Sequence, residues 1–316
     1  MNLTGAFYAL IAFAVFATHD VVIKVLGASF GPAQLVFFST LFAFPMIAVM
    51  LMRDKTEGNL RPVHPWWTAI RTACATTNAI AAFYAFSVLP LAQVYAILFA
   101  TPLVITILSI PVLGEKVGFH RWAAVVVGLI GVIVVLRPGA EAFTLGHAAA
   151  LACAFVGGFA SIIVRKIGRE ERTVVLMIYP MLANFIVMGA LMTLNYRPLD
   201  LTELGGIGAF SALGFIGGLL LIAAYKASEA AVVAPMQYSQ IIWATIFGYV
   251  FFGETVDLPT VLGASIIIAS GLYIVFRESR GGHSANTPVL RTRSRASSAS
   301  SFRISPFLRR NDTPAQ

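Results

Sequence analysis

The sequence predicts an all-α membrane protein of ten transmembrane helices, arranged as two inverted five-helix repeats. Three observations predict it: the composition, a series of long apolar runs, and an internal repeat. Of the 316 residues, 58% are hydrophobic and 11% are charged, whereas a soluble domain carries about 25% charged residues. A water-soluble fold must cover its surface and has too little interior to hide that much apolar side chain. A hydrocarbon core of about 30 Å absorbs it, at roughly 20 apolar residues per helical span. A transmembrane β-barrel would alternate apolar and polar residues. Leu103–Pro111 and Val125–Leu136 run apolar without alternation.

The spans follow in order. The first covers about Thr4–Leu26, the second Pro32–Met52 and the third Pro65–Val88. The fourth covers Leu91–Leu113 and the fifth Gly118–Leu136. Then come Leu145–Gly168, Thr173–Leu194, Glu203–Lys226, Ala231–Phe252 and Leu258–Phe276. Pro32 and Pro90 sit where spans begin, since a first helical turn has no hydrogen bond for proline to remove. The first span lacks a basic leader and reads as a retained helix rather than a signal peptide. Cys74 and Cys153 fall within spans and read as small buried apolar groups, neither a disulfide framework nor a metal site.

Loop charge sets the expected orientation. With both termini cytoplasmic, most of the 22 basic residues fall on the inner face, where Lys and Arg accumulate in inner-membrane proteins. Only Lys24, Arg137 and Arg197 lie toward the outer face. The domain organisation expected is a first repeat over 1–139, a second over 140–279, and a basic tail over 280–316. That tail is rich in Ser, Arg and Thr and too polar to bury a core, so it reads as disordered.

The repeat is visible at an offset near 140. Gly5 onward, GAFYALIAFAVFATHDVVIKVLG, resembles Gly146 onward, GHAAALACAFVGGFASIIVRKIG, and places Lys24 opposite Arg165. Leu113-Gly114-Glu115-Lys116-Val117 matches Phe252-Gly253-Glu254-Thr255-Val256, and Gly131 to Arg137 matches Gly271 to Arg277. Five helices per copy is an odd number, so the second copy enters the membrane upside down. Inverted repeats of this kind build secondary transporters, with the solute site at the repeat interface near the midplane.

On these residues the chain resembles the EamA branch of the drug/metabolite transporter superfamily. The resemblance rests on the two Gly-Glu helix ends, His19-Asp20-Val-Val-Ile-Lys24, Arg71 near the start of the third span, and the stretch from Pro90 to Gly139. It covers about Gly5–Arg277. Phe37-Phe38-Ser39-Thr40 departs from it, because many relatives resemble Phe-Phe-Arg there. Relatives of this kind carry amino acids, S-adenosylmethionine or riboflavin.

Polar residues inside spans are costly and therefore candidate site residues. At 1.5 Å per residue, His19, Asp20, Asn78, Gln93 and Tyr95 fall in the outer half, about 20–27 Å from the cytoplasmic end. Arg71, Gln237, Tyr238 and Gln240 fall lower, at about 9–13 Å. Asp20 and Lys24 stand at i,i+4 and can pair within one helix. The second-copy counterparts of His19 and Asp20 are Ala160 and Ser161, so the polar pair breaks the repeat. His19 and Asp20 are candidates for proton coupling or solute binding, and Arg71 for a bidentate anion contact or a snorkelling interface residue. Gly214-x-x-x-Gly218 allows close helix approach. Glu115 and Glu254 read as loop anchors.

No phosphate-binding loop, His-Glu-x-x-His or Gly-x-Ser-x-Gly motif is present. The expected function is secondary transport of a small organic metabolite across the inner membrane, not enzymatic. Few net charges and several aromatics suit a neutral or zwitterionic, flat aromatic metabolite, and among the solutes that the resemblance implies, uptake of riboflavin or a similar vitamin is the one expected. Export of amino acids or other solutes, S-adenosylmethionine transport and a membrane-embedded enzyme are the alternatives. A channel is disfavoured for want of charged rings. No cofactor or metal is expected. The expected partners are the solute and the bilayer, not nucleic acid, with a monomer or homodimer as the assembly.

Overall fold

The computed structural model describes residues 4–53, 60–114, 117–137, 142–168, 170–227 and 233–280. The basic tail and Glu115 lie outside the described residues. The chain opens with α1 (Thr4–Gly27), α2 (Pro32–Arg53), α3 (Pro65–Val88), α4 (Leu91–Leu98), α5 (Thr101–Leu113) and α6 (Phe119–Leu136). It continues with α7 (Leu145–Ile167), α8 (Thr173–Met192) and α9 (Leu201–Ala227). A 3-10 turn (Ala234–Ser239), α10 (Gln240–Phe252) and α11 (Leu258–Arg280) complete it, with no strand among the described residues. Among the described residues, five stretches are long and apolar enough to cross a membrane: Thr4–Gly27, Leu91–Leu113, Leu145–Ile167, Val174–Met192 and Leu201–Leu221. Val126, Val127, Ile130 and Ile133 on α6 and Ile242, Ile246 and Val250 on α10 are exposed. An outward apolar face of that kind suits lipid rather than water.

Two expected spans are interrupted. The fourth breaks at Phe99–Ala100, between α4 and α5, because Pro102 has no N–H to give the Leu98 carbonyl. Thr101 Oγ1 donates to that carbonyl instead, at 2.6 Å. Within the ninth span the described residues form a 3-10 turn over Ala234–Ser239, which carries Pro235, followed by α-helix from Gln240. Both spans end alike: Gly114 at φ 69° and Gly253 at φ 65° supply left-handed C-caps, which glycine adopts without a Cβ penalty.

Helix pairing exchanges the two halves. α1 packs along α9 and α7 along α3, while α2 packs along α8 and α6 along α11. Each pair is antiparallel. On α1 and α9, Phe16 meets Gly217, His19 meets Gly214 and Leu26 meets Gly206. Of the expected Gly214-x-x-x-Gly218 motif, Gly214 lies on this contact face, beside Gly217. On α6 and α11, Ser270 Oγ donates to the Ala124 carbonyl at 2.5 Å while Gly131 faces Gly263 and Ile267. A Cβ on Gly263 would meet the Gly131 carbonyl oxygen at 2.7 Å, so the two backbones nearly touch.

One end of the bundle gathers Gly27, Leu89, Leu91, Arg137, His147 and Glu254. The other gathers His64, Val112, Lys166 and Glu170. There His64 Nε2 lies 2.6 Å from Glu170 Oε2, and Lys166 donates to the Val112 carbonyl while standing 4.3 Å from the Trp67 ring centre.

Gly263→Val should lower the melting temperature in detergent, because overpacking at a well-filled contact costs about 1–3 kcal/mol. Gly205→Ala should not, since nothing lies within 4 Å of its would-be Cβ.

Candidate functional site

Asp20 is fully buried in the middle of the helix bundle. It sits four residues before Lys24 on α1, and the expected Asp20–Lys24 pair does not form. Lys24 Nζ lies 2.6 Å from Glu254 Oε1 and also donates to the Leu89 carbonyl. The reason is topological: the end of α1 abuts the α3–α4 junction and the cap of α10, so a carboxylate from the other half is within reach. Asp20 instead takes two neutral-capable partners. His19 Nδ1 lies 2.6 Å from Asp20 Oδ1, and Tyr95 Oη donates to Asp20 Oδ2. Gln240 Nε2 reaches Tyr95 Oη at 3.4 Å.

This chain of groups joins α1, α4 and α10, and so brings together residues from both repeats. Gln240, placed low by counting α-helical rises, makes this contact at the far end of the long Tyr95 side chain. The Tyr238 ring meets Phe99 edge-on at 5.0 Å, and Phe99 lies beside Tyr95, which contacts Phe86. The offset of 139 that aligns Gly114 with Gly253 also aligns Phe99 with Tyr238. Equivalent aromatics of the two copies thus touch at the breaks in their helices.

The remaining candidates distribute around this layer. Asn78 Oδ1 accepts from Cys153 Sγ at 3.1 Å, tying α3 to α7, and Cys153 lies within electrostatic range of Asp20. Gln93 pairs with His147 at 3.1 Å, toward the Glu254 end. Gln237 is half-buried on the 3-10 turn. Arg71 is apart from all of these. It is buried on α3 and donates to the Leu176 carbonyl on α8, so it neither snorkels nor faces Asp20.

His147 was missed by sequence reasoning. It is buried, closes a capping box with Thr144 and lies against Phe143. A polar residue three positions after a threonine at a helix start was the available signal. Near Gln93, a half-open cavity of about 280 Å³ is lined by Gln93, Arg137, Glu254, Thr255, Asp257 and Thr260, among others. Arg137 pairs with Asp257 on its rim. Among the described residues no cluster of three potential metal ligands occurs.

The family model described as EamA-like transporter family matches residues 3–137 and 144–276. The S-adenosylmethionine uptake transporter of Rickettsia conorii is 24% identical over 278 residues, covering 88% of this chain and 94% of that protein. The riboflavin transporter of Vibrio cholerae is 27% identical, with 88% and 95% covered. The pseudopaline exporter of Pseudomonas aeruginosa is 22% identical, with 84% and 94% covered. A solved protein crystal structure superposes with a TM-score of 0.57 at 18% identity, over 85% of this chain and 94% of that one, which is a likeness of fold.

A Cβ on Gly271 would collide with Tyr238 Oη. Gly271→Ala should therefore lower the melting temperature, and adding Tyr238→Phe, which removes the hydroxyl but leaves the ring carbon at 2.9 Å, should restore only part of the loss.

Proposed function

The chain belongs to the EamA-like transporter family, and from that premise we propose that it is a secondary transporter working by alternating access. Two inverted repeats make ten crossings, and both termini face the cytoplasm. The antiparallel pairing of α1 with α9, α2 with α8 and α6 with α11 supports the inversion. The excess of Lys and Arg at the end carrying His64 and Lys166 supports the orientation. The solute lies in the layer of Asp20, His19, Asn78, Tyr95, Tyr238 and Gln240, with Gln93 on its approach from the cavity beside Glu254. Arg71 and Gln237 sit outside that layer, and Arg71 holds α3 to α8.

One observation carries the solute class: a buried carboxylate, Asp20, set among the rings of Phe86, Tyr95, Phe99 and Tyr238. Rings stack on a planar heterocycle, and a carboxylate in low dielectric selects positive charge. A heteroaromatic metabolite bearing a cationic group, of the S-adenosylmethionine kind, satisfies both. That departs from the riboflavin-like solute expected from the family resemblance. A neutral flavin remains the second reading, favoured by the 2.6 Å contact of His19 with Asp20, which gives the carboxylate a partner without a solute cation.

Uptake into proteoliposomes of labelled S-adenosylmethionine and labelled riboflavin, each competed by the other, separates the two. The expected result is saturable S-adenosylmethionine uptake that Asp20→Asn lowers by about tenfold or more, the loss of roughly 1.4 kcal/mol of binding. Uptake of riboflavin alone, indifferent to Asp20→Asn, would reverse the assignment. Arg71→Ala should reduce thermal stability and leave the solute concentration for half-maximal uptake unchanged.

A further inference from the structure

Two rungs of polar contact link α1 to α4 and the turn before it. The inner rung is Asp20 with Tyr95 Oη. In the outer rung Lys24 donates to the Leu89 carbonyl, lies 2.6 Å from Glu254 Oε1 and stands 5.3 Å from the Phe252 ring centre. Glu254 Oε2 accepts from the Leu91 N–H at 3.0 Å. Asp20 and Lys24 are one turn apart on α1, as Tyr95 and Leu91 are on α4.

Lys24 and Glu254 are nearly shut off from solvent, with side chains 12% and 17% exposed. The pair joins the end of α1, the start of α4 and the cap of α10, which come from both repeats. Glu254 also lines the half-open cavity. The Lys24–Glu254 pair therefore stands between that cavity and the Asp20 layer. Nearby, Gly27 packs so tightly on Ser87 that an added Cβ would meet Ser87 Cβ at 2.5 Å, which closes the same end between α1 and α3.

Lys24 has a second carboxylate in reach. Asp20 is its i−4 neighbour, a spacing at which opposite charges pair on a helix. Glu254 is the partner observed. When the copies rock apart at this end, Glu254 moves off with α10, whereas Asp20 travels with Lys24 on the same helix. An ammonium left without an anion in a buried site is strongly unfavourable, so the freed Lys24 swings to Asp20.

We propose that Lys24 couples the two: it pairs with Glu254 when this end is latched and with Asp20 when it is open. The negative charge of Asp20 thereby competes against the latch. A solute cation that neutralises Asp20 removes the competitor, so the latch closes behind the solute. This last step rests on the assignment of Asp20 to the solute layer, but the exchange of partners does not.

The test uses the full chain with Cys74→Ser, leaving Cys153 as the reporter. Cys153 is fully buried in the Asp20 layer. A membrane-impermeant maleimide is applied to the face that carries Glu254, identified separately by labelling Thr255→Cys. Lys24→Met should raise the rate of Cys153 labelling from that face by about fivefold or more, the lower end of coupling between linked sites. Asp20→Asn should lower it by about fivefold, and in the double variant Asp20→Asn should have no further effect. Lys24→Arg should keep the labelling of the parent. Should Lys24→Met fail to yield folded protein, Glu254→Gln breaks the same pair and must raise labelling likewise.

Unchanged labelling in both latch variants overturns the proposal. So does an Asp20→Asn effect that persists when Lys24→Met is present. Labelling that follows expectation without uptake of either solute sinks only the solute assignment. Uptake that depends on Asp20 with labelling unmoved sinks only the latch.

Discussion

In hydrocarbon a backbone carbonyl or amide has no water to bond, so a helix may be interrupted only where protein supplies the missing partner. Two spans of this chain are interrupted, and the rest of the site follows from how that demand is met. At the first break Thr101 Oγ1 takes over the Leu98 carbonyl that Pro102 abandons, and the Phe99 N–H keeps the Tyr95 carbonyl. At the second, a 3-10 turn carries the chain from Ala234 to Ser239. Irregular backbone of this kind must be enclosed by protein, and the two breaks lie against each other, with Phe99 on Tyr238. Gly271 is what lets Tyr238 lie there, since any side chain on α11 at that point would fill its place.

The same scarcity of water governs the charges. Lys24 takes Glu254 and the Leu89 carbonyl, and Arg71 takes the Leu176 carbonyl. Asp20 is answered by an imidazole and a phenol. The second half carries Ala160 and Ser161 at these positions, and Ser161 Oγ donates to the Gly157 carbonyl of its own helix.

Much of this was legible in the residues. Helix ends fell within a few positions of expectation because prolines at Pro32 and Pro65, and glycines at Gly114 and Gly253, act through their own backbone geometry. The shared depth of Asp20 and Tyr95 followed from helical rise, and the burial of Asp20 from the cost of placing a charge in hydrocarbon. The partner of Lys24 was not legible. Asp20 is its obvious neighbour along the helix, while Glu254 becomes adjacent only after the two halves pack. The contact of Gln240 with Tyr95 was not legible because it joins two helices, and His147 was overlooked because its importance lies in Gln93, on another helix.

By itself, then, the sequence determined a duplicated, helical, membrane-class chain and most of the polar groups at its centre. Those properties depend on residue type and on spacing along one helix, where geometry is nearly constant. The tertiary structure alone decided which of those groups meet, where two helices break, and which carboxylate holds Lys24. Those outcomes depend on contacts between helices far apart in the chain, whose separation no local pattern encodes.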